Sequence, residues 1–274
     1  MTRLITEWIK EMDSTVALWN IEFKRITGMD LVELAAKGCG KSYQDLQRLS
    51  ERLKVAVIPI TSGEGIIGSF ADSVAAIVAE MGFHTIVTGE TDVAGLYEAE
   101  KEGADIVYFA DDNRYLAMNL NQRALAENDR ATATGYILAL EGMLDKQQGE
   151  TLRDKRVLQL GYGRVGKVMS ELLVKKGAQV TVYDKHWERM EEALENNLAI
   201  IQDPLAIKNF TLITDATSEG PWLNKELLNK EALIAAPGIP YSLDEETEAL
   251  YPNSSVHDNL EIGTAVMLGM ALGR

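Results

Sequence analysis

The chain has 274 residues, a length that accommodates two modest domains with their own hydrophobic cores. Its net charge is −15 and no Lys/Arg cluster occurs, which argues against nucleic acid or an anionic membrane surface as a partner. The acidic N-terminal residues do not resemble a signal peptide, and no apolar run could span a bilayer, so a cytoplasmic location is expected. One cysteine and three scattered histidines predict neither a disulfide nor a metal site.

The first part of the chain has the spacing of amphipathic helices up to about residue 54, and from there helices alternate with apolar strands. Such alternation is typical of a parallel sheet with crossover helices. The predicted elements are strand Val55–Ile60, helix Ser69–Met81, strand Thr85–Thr88, helix Val93–Lys101, strand Asp105–Phe109 and a long helix from about Ala131 to Leu144.

The loop after the first strand, Gly63-Glu64-Gly65-Ile66-Ile67-Gly68, has the G-x-G-x-x-G pattern of dinucleotide-binding turns. Glu64 lies inside this turn, where its charge would oppose a phosphate, so we interpret the loop as a substrate-side feature that suits a cationic ligand. The alternative is that its glycines only allow tight packing of a strand against a helix. Ligands of open α/β sheets lie beyond the carboxyl ends of strands, so Ser62 and Asp111-Asp112-Asn113 are expected to line one pocket.

A second copy of the pattern, from Gly161 to Gly166, has the full context of a nucleotide site. The apolar strand at Val157–Leu160 precedes it, and a helix pattern follows. Gly161 permits the turn, Gly163 lets a diphosphate approach and Gly166 allows close packing. Arg164 and Val165, which stand inside the turn before the predicted helix Lys167–Lys176, complete the candidate cofactor residues of this motif. About twenty residues later the run Val180–Tyr183 ends in Asp184, whose carboxylate favours NAD over NADP.

The chain continues with helix Trp187–Asn196, strands Thr211–Thr214 and Leu233–Ala235, and a C-terminal helix. Thr217 and Pro237 follow these strands and are expected near the cofactor. The predicted fold class is α/β: N-terminal helices and a small parallel lobe for substrate (residues 1–145), then a Rossmann domain that includes the C-terminal helix (residues 146–274).

Five segments stand in the order found in the pyrrolysine synthase family, which the chain resembles from about Asp13 onward. They are Pro59–Phe70, Ala110–Asn113, Gly161–Gly166, Ala236–Pro240 and Ile262–Ala265. The resemblance implies an NAD-dependent homodimer that oxidises the terminal amine of 3-methylornithyl-N6-lysine. Ring closure with loss of ammonia then completes pyrrolysine biosynthesis.

Site residues follow from the residues and from the resemblance together. We hypothesise that Asp111 binds or deprotonates an ammonium group and that Ser62 donates a hydrogen bond to substrate; turn capping and helix capping are the respective alternatives. The resemblance also implies that Leu4 and Ile5 close over substrate. It further implies that Asn128 lies near the nucleotide and that Asp258 is a substrate-binding acid.

Two other functions remain open at this stage. One is a different NAD(P)-dependent dehydrogenase of an amino acid or one-carbon carrier with the same two lobes. The other is a non-catalytic NAD-sensing module. The loop after Ile60 contains no lysine, which argues against the lysine acid/base mechanism of common amino-acid dehydrogenases.

Overall fold

The computed structural model of the protein describes residues 4–273. The chain forms two compact units, each built on its own β-sheet. The first unit comprises the chain up to Glu22, Met29–Gly135 and the residues from Asn259 onward; the second comprises Phe23–Gly28 and Tyr136–Asp258. The expected division at residue 145, with the C-terminal helix in the second domain, is therefore wrong.

The sheet of the first unit has five strands, in the order β2-β1-β3-β4-β5. Strands β1 to β3 are parallel, and β4 and β5 are added in antiparallel hairpins. The strands are β1 (Lys54–Ile58), β2 (His84–Val87), β3 (Ile106–Ala110), β4 (Tyr115–Asn119) and β5 (Leu125–Glu127).

The two antiparallel strands are absent from the sequence prediction, which continued from β3 to the long helix. A tight turn after β3 reverses the chain, and the N–H of Asp111 donates to the carbonyl of Arg114 at 2.9 Å. The parallel part of the unit is predicted correctly, with ends displaced by one or two residues. Its crossover helices are α5 (Phe70–Glu80) and α6 (Asp92–Lys101).

Four helices precede the sheet, and the sequence supplies capping boxes for the third and the fourth. The Asp30 side chain accepts from the N–H of Glu33, and the Glu33 carboxylate accepts from the N–H of Asp30, which closes a capping box. Gly40 then ends that helix in the left-handed conformation. The helices are α1 (Thr6–Ile9), α2 (Met12–Thr27), α3 (Leu31–Cys39) and α4 (Tyr43–Ser50).

The C-terminal helix α11 (Glu261–Ala271) completes the first unit by packing against α3. The two helices approach closely at small residues. A Cβ added at Gly269 would lie 2.5 Å from the carbonyl oxygen of Ala35, and one at Gly38 would lie 3.0 Å from Val266. All but one of the residues of α11 are buried, so its apolar surface belongs to the core of this unit.

The second unit contains a six-stranded parallel sheet in the order β11-β10-β9-β6-β7-β8, the strand order of a Rossmann fold. Its strands are β6 (Arg156–Leu160), β7 (Gln179–Tyr183), β8 (Ala199–Ile200), β9 (Leu212–Asp215), β10 (Leu233–Ala236) and β11 (Ser255–His257). Its helices are α7 (Asn128–Gln148), which begins in the first unit, α8 (Arg164–Lys175), α9 (Trp187–Glu195), the 3-10 helix Pro204–Asn209 and α10 (Glu245–Glu248).

The sheet of the second unit is packed by apolar side chains from strands and crossovers, among them Leu158, Ile213 and Ile234, all fully buried. The order reverses between β6 and β9, so the carboxyl ends of these two strands flank the switch point at which open α/β sheets bind ligands. Among residues 4–273, no helix is long and apolar enough to cross a membrane.

Candidate functional site

The turn after β6 has the geometry of a dinucleotide-binding loop. Gly161 has φ +77°, a left-handed conformation that glycine adopts without strain. A Cβ at Gly166 would lie 2.0 Å from the carbonyl oxygen of Gly161, so helix and strand are in backbone contact there. At Gly163 the nearest atom to an added Cβ, Arg189 Nη1, is 3.8 Å away. No neighbouring atom of the protein therefore requires a glycine at position 163, and the absence of a side chain there leaves room for an approaching diphosphate.

Helix α8 begins directly after this turn, with Gly163 as its N-cap and Arg164 and Val165 in its first turn. The first turn of the helix contains no acidic residue. Its N-terminal N–H groups and dipole therefore present positive partial charge at the position where the glycine turn opens. The predicted roles of the three glycines agree with this geometry.

Asp184 follows β7 and is almost fully buried, with 4% of its surface exposed. Its Oδ2 accepts from the N–H of Tyr162 at 2.8 Å and from Arg189 Nη1 at 3.2 Å, and its Oδ1 accepts from the N–H of His186 at 2.9 Å. These three donors use three of about four lone-pair positions of a carboxylate, so one acceptor position remains for a ribose hydroxyl.

A cavity of about 240 Å³ opens beside Asp184, large enough for one end of a dinucleotide. Gly161, Asp184 and Thr217, all predicted cofactor residues, line it. Its other walls come from the end of β7, the start of α9 and the segments that follow β7 and β9: Tyr183, Lys185, His186, Arg189, Ala216, Ser218, Glu219 and Trp222. The Tyr183 and Trp222 rings lie 6.2 Å apart and give the cavity an apolar wall that suits an adenine ring.

Asp215 holds the part of this wall that follows β9. It is fully buried, and its Oδ1 accepts from the N–H of Thr217 at 2.9 Å and from its hydroxyl at 2.7 Å. The indole N–H of Trp222 donates to the same hydroxyl oxygen at 3.1 Å. Burial raises the pKa of Asp215. The hydrogen bonds thus connect one buried carboxyl to two residues that line the cavity.

Pro237 precedes a glycine that contacts the same wall. It is half-buried and directly follows β10, and the next residue, Gly238, approaches Thr217 so closely that an added Cβ would lie 2.1 Å from its carbonyl oxygen. The N–H of Gly238 donates to the carbonyl of Asp215 at 3.1 Å. Thr217 and Pro237 therefore belong to neighbouring backbone segments at the carboxyl end of the sheet.

In the first unit, the loop after β1 differs from its sequence interpretation in one respect. Helix α5 begins at Phe70, so Glu64 lies six residues before the helix and not at its start. Gly63 has φ +75°, and a Cβ there would lie 1.9 Å from Asp112 Oδ2. The glycine therefore makes room for a neighbouring carboxylate, and the proposed role in packing a strand against a helix is wrong for it.

Two carboxylates from flanking segments hold the first half of this loop. Asp112 Oδ2 accepts from the N–H of Glu64 at 2.8 Å, and Asp92 accepts from the N–H of Thr61 at 2.9 Å and from its hydroxyl at 2.6 Å. Ser62 lies between these two anchors and is exposed. The loops after β1 and β3 meet as predicted, and Asp112 makes the contact.

Asp111 occupies the turn between β3 and β4 and is exposed. Its Oδ1 accepts from the N–H groups of Asn113 and Arg114, each at 2.7 Å. These hydrogen bonds are those of the turn-capping alternative. Its Oδ2 has no hydrogen-bond partner among the described residues, so the same carboxylate retains an oxygen for a cationic ligand.

The N-terminal residues lie against the same loop. Ile5 is the N-cap of α1 and is 45% exposed, and Leu4 is half-buried. A Cβ at Gly68 would lie 3.0 Å from Thr6 Oγ1, so α1 contacts the glycine-rich loop directly. The Ser73 hydroxyl anchors the end of α1 by donating to the Ile9 carbonyl at 3.0 Å. Leu4 and Ile5 therefore precede a helix that is held at Gly68 and Ser73.

Asn128 and Asp258 are not among the residues that line the cavity. Asn128 starts α7 within the first unit, where its Oδ1 accepts from the Thr132 hydroxyl at 3.1 Å and lies 2.6 Å from a Cβ built on Gly263. Asp258 ends the second unit, is 8% exposed, and donates its N–H to the Tyr136 hydroxyl at 2.9 Å. Their nucleotide and substrate roles stay predictions.

Three residues with evident roles are absent from the sequence prediction: Arg189, Trp222 and Asp92. Arg189 could be found by its position five residues beyond Asp184, in the first turn of α9, from which its guanidinium group contacts that carboxylate. Nothing in the sequence shows which of the adjacent acids Asp111 and Asp112 contacts the loop after β1, because they differ only in the side of the turn to which each one points.

Two family models match the chain. Residues 9–126 match the pyrrolysine biosynthesis protein PylD, N-terminal domain, and residues 125–186 match glutamate/leucine/phenylalanine/valine dehydrogenase. Together with the Rossmann geometry, the second match indicates a nicotinamide cofactor.

Among solved structures, shikimate dehydrogenase of Aquifex aeolicus superposes with a TM-score of 0.50 at 15% identity, covering 82% of this chain and 94% of that one. Shikimate 5-dehydrogenase of Thermus thermophilus gives a TM-score of 0.51 at 16% identity, with coverages of 81% and 93%. At such identities the likeness concerns the fold, which is that of two-lobed dehydrogenases.

Sequence relatives are more specific. The chain is 36% identical to pyrrolysine synthase of Methanosarcina barkeri over 245 residues, which cover 89% of this chain and 88% of the relative. It is 33% identical to pyrrolysine synthase of Methanosarcina acetivorans over 264 residues, with coverages of 96% and 94%. Since both similarities extend through both units, the protein belongs to the pyrrolysine synthase family.

Proposed function

We propose that the protein carries out the last step of pyrrolysine biosynthesis in the cytoplasm, using NAD to oxidise the terminal amine of 3-methylornithyl-N6-lysine. Family membership over most of the chain carries this proposal. The glycine turn, the open space at Gly163 and the buried Asp184 support a dinucleotide cofactor. The exposed carboxylate of Asp111, together with Asp92 and Asp112 on the loop of Ser62, supports a substrate that carries several amines.

The bound nicotinamide supplies a hydride acceptor. The C–H bond of the carbon that bears the terminal amine breaks, both electrons leave with the hydride, and one proton goes to solvent. The resulting imine carbon is attacked by the second ornithyl amine, and ammonia departs as the five-membered ring closes. Closure of such a ring corresponds to an effective molarity of about 10⁵–10⁸ M, so the protein needs mainly to orient the amine and keep it unprotonated.

The residues of the first unit match the task of orienting the substrate. We assign to Asp111 Oδ2 the contact with the substrate ammonium, because Oδ1 is held by the turn and fixes the carboxylate in place. Ser62 is expected to donate a hydrogen bond to substrate from the loop that Asp92 and Asp112 anchor. Leu4 and Ile5 are expected to cover the substrate, since α1 is attached to that loop.

The assignment is tested with purified protein, NAD and synthetic D-ornithyl-N6-lysine, by absorbance of NADH and by mass analysis. Reduction of NAD with loss of one ammonia and two hydrogens from the substrate is the expected result. Absence of reduction with this compound and with its 3-methyl form would overturn the proposed reaction, while binding of NAD alone would leave the cofactor site in place.

Asp111→Asn separates the two roles of that carboxyl. The asparagine oxygen can still accept from the turn, but the charge that binds ammonium is lost, so turnover should fall about 10²-fold or more. Glu98→Gln is the matched control, because Glu98 caps the N–H groups of Gly89 and Glu90 in another turn of the same unit. Turnover by D111N equal to that of E98Q would remove Asp111 from the mechanism.

We also propose a homodimer, which the family resemblance implies. Sedimentation equilibrium at micromolar concentration should give twice the monomer mass of 30.2 kDa. A single species of monomer mass at that concentration would contradict it.

A further inference from the structure

The cofactor cavity contains two lysine or arginine side chains, and each is paired with an acid. Arg189 Nη1 lies 3.2 Å from Asp184 Oδ2, and Lys185 Nζ lies 2.6 Å from Glu219 Oε2. All four residues line the cavity. The formal charges of these side chains therefore cancel, two positive against two negative.

Arg189 lies between Asp184, where the ribose of a dinucleotide is expected, and Gly163, where its diphosphate is expected. Its Nη1 contacts Asp184, which is expected to hold the ribose hydroxyls, and it is also the nearest atom to a Cβ built on Gly163, at 3.8 Å. The Arg189 side chain is 47% exposed, whereas that of Asp184 is 3% exposed. The guanidinium group is thus accessible from the cavity, and the carboxylate behind it is fixed by two backbone N–H groups.

A 2′-phosphate differs from a 2′-hydroxyl by nearly two negative charges and three acceptor oxygens. Such a group on the ribose would lie beside Asp184, where Arg189 and Lys185 are the available cations. Arginine binds phosphate well through its planar fork of donors, but a guanidinium neutralised by a carboxylate attracts a phosphate far less.

We propose that Arg189 and Lys185 form a latent 2′-phosphate site, which Asp184 and Glu219 neutralise, and that these two ion pairs set the choice of NAD over NADP. This inference rests on the proposed use of NAD and assigns specificity to three residues beyond Asp184. Removing either acid should release a cation and shift binding toward ligands with a 2′-phosphate.

The test compares two fragments that differ only in that group, 5′-AMP and adenosine 2′,5′-bisphosphate, by titration calorimetry without any amine substrate. The measured quantity is the ratio of their dissociation constants. Wild type should favour 5′-AMP. Glu219→Gln should shift the ratio toward the bisphosphate about threefold to tenfold, and Asp184→Asn about tenfold or more.

The chain offers a matched control for the first variant. Lys167 and Glu192 form an ion pair of the same length, 2.6 Å, with both side chains 41% exposed, and neither residue lines the cavity. Glu192→Gln removes the same charge from the same unit, so it should leave the ratio unchanged. Equal shifts for E219Q and E192Q would reduce the effect to net charge and overturn the proposal.

A second arm uses the double variant. Arg189→Gln in the D184N background should cancel the gain in bisphosphate affinity, and its persistence would overturn the role of Arg189. Because Arg189 and Glu219 are exposed, R189Q and E219Q are informative even if D184N folds poorly. Wild type that prefers the bisphosphate would overturn the preference for NAD itself, whereas loss of amine oxidation with these ratios intact would concern only the proposed reaction.

Discussion

Gly163 and Gly166 of the second motif should respond differently to substitution by alanine. Gly166 allows a helix to pack closely, whereas Gly163 leaves room for the cofactor. At Gly166 the new methyl group would lie 2.0 Å from the Gly161 oxygen and 3.0 Å from its carbonyl carbon, so α8 must move away from β6. Overpacking of this kind costs about 1–3 kcal/mol, and each kcal/mol lowers Tm by about 2–4 °C in a protein of this size class. G166A should therefore melt several degrees lower.

Gly163→Ala should show the opposite pattern. The backbone there, with φ −81° and ψ −161°, is allowed for alanine, and the nearest neighbour is an arginine nitrogen at ordinary contact distance. Loss of a glycine N-cap and reduced freedom of the unfolded chain largely offset each other, so the free energy of unfolding should change by less than about 1 kcal/mol. The methyl group occupies the approach of the diphosphate, so the Kd for NAD should rise about tenfold or more, at least about 1.4 kcal/mol.

Thermal melts without ligand and titration with NAD measure the two effects separately. Gly89→Ala is a suitable control, since an added Cβ there has only the Glu98 carboxylate nearby, at 3.8 Å, and the residue belongs to the other unit. It should change neither quantity. Wild-type affinity for NAD in G163A, or a wild-type melting temperature in G166A, would refute the assignment of purposes to the two glycines.

Three further predictions concern buried or bridging groups. His257 stacks on Tyr241, and burial lowers its pKa from 6.5 to about 4. The folded state therefore has its full stability above pH 6.5 and loses up to about 3 kcal/mol as the pH falls toward 4. In urea unfolding, the free energy of unfolding of His257→Phe should decline less with falling pH than that of wild type. Burial raises the pKa of Asp215, so its ionised form opposes folding above that pKa. Asp215→Asn should therefore have a higher Tm than wild type at pH 8, and the difference should vanish at acidic pH. A lower Tm of the variant at pH 8 would contradict this. Asp112→Ala removes the acceptor for the N–H of Glu64, so hydrogen exchange at that amide should accelerate and the KM for the amine substrate should rise, whereas unchanged exchange would exclude the anchoring role.

The second unit was largely predictable because each of its signals is local. A strand, a glycine turn and a helix follow one another within twenty residues, and Asp184 stands at the end of the next strand. Gly161, Asp184 and Thr217 all line the cavity. What the sequence could not predict is the neutralisation of Arg189 and Lys185, which depends on distances between side chains.

The first unit was predictable only where strands and helices alternate. Strands β4 and β5 are short and antiparallel. The pairing of β4 with β3 requires the chain to reverse in the turn at Asp111, where the strand-helix alternation on which the prediction rested is interrupted. The membership of α11 depends on contacts between Gly269 and Ala35, which are more than 200 residues apart in the chain. Local periodicity predicts that a helix forms but contains no information about the partner against which it packs.

The placement of α11 has a consequence for the order in which the chain can fold during synthesis. Domains generally fold from the N-terminus as they emerge from the ribosome. Here the first unit lacks α11 until the residues from Asn259 onward are synthesised, whereas every residue of the Rossmann unit has been made once Asp258 is added. The unit that comes second along the chain is thus the first that can be completed. Until α11 has been synthesised, α3 presents to solvent, or to a chaperone, the surface that α11 later covers.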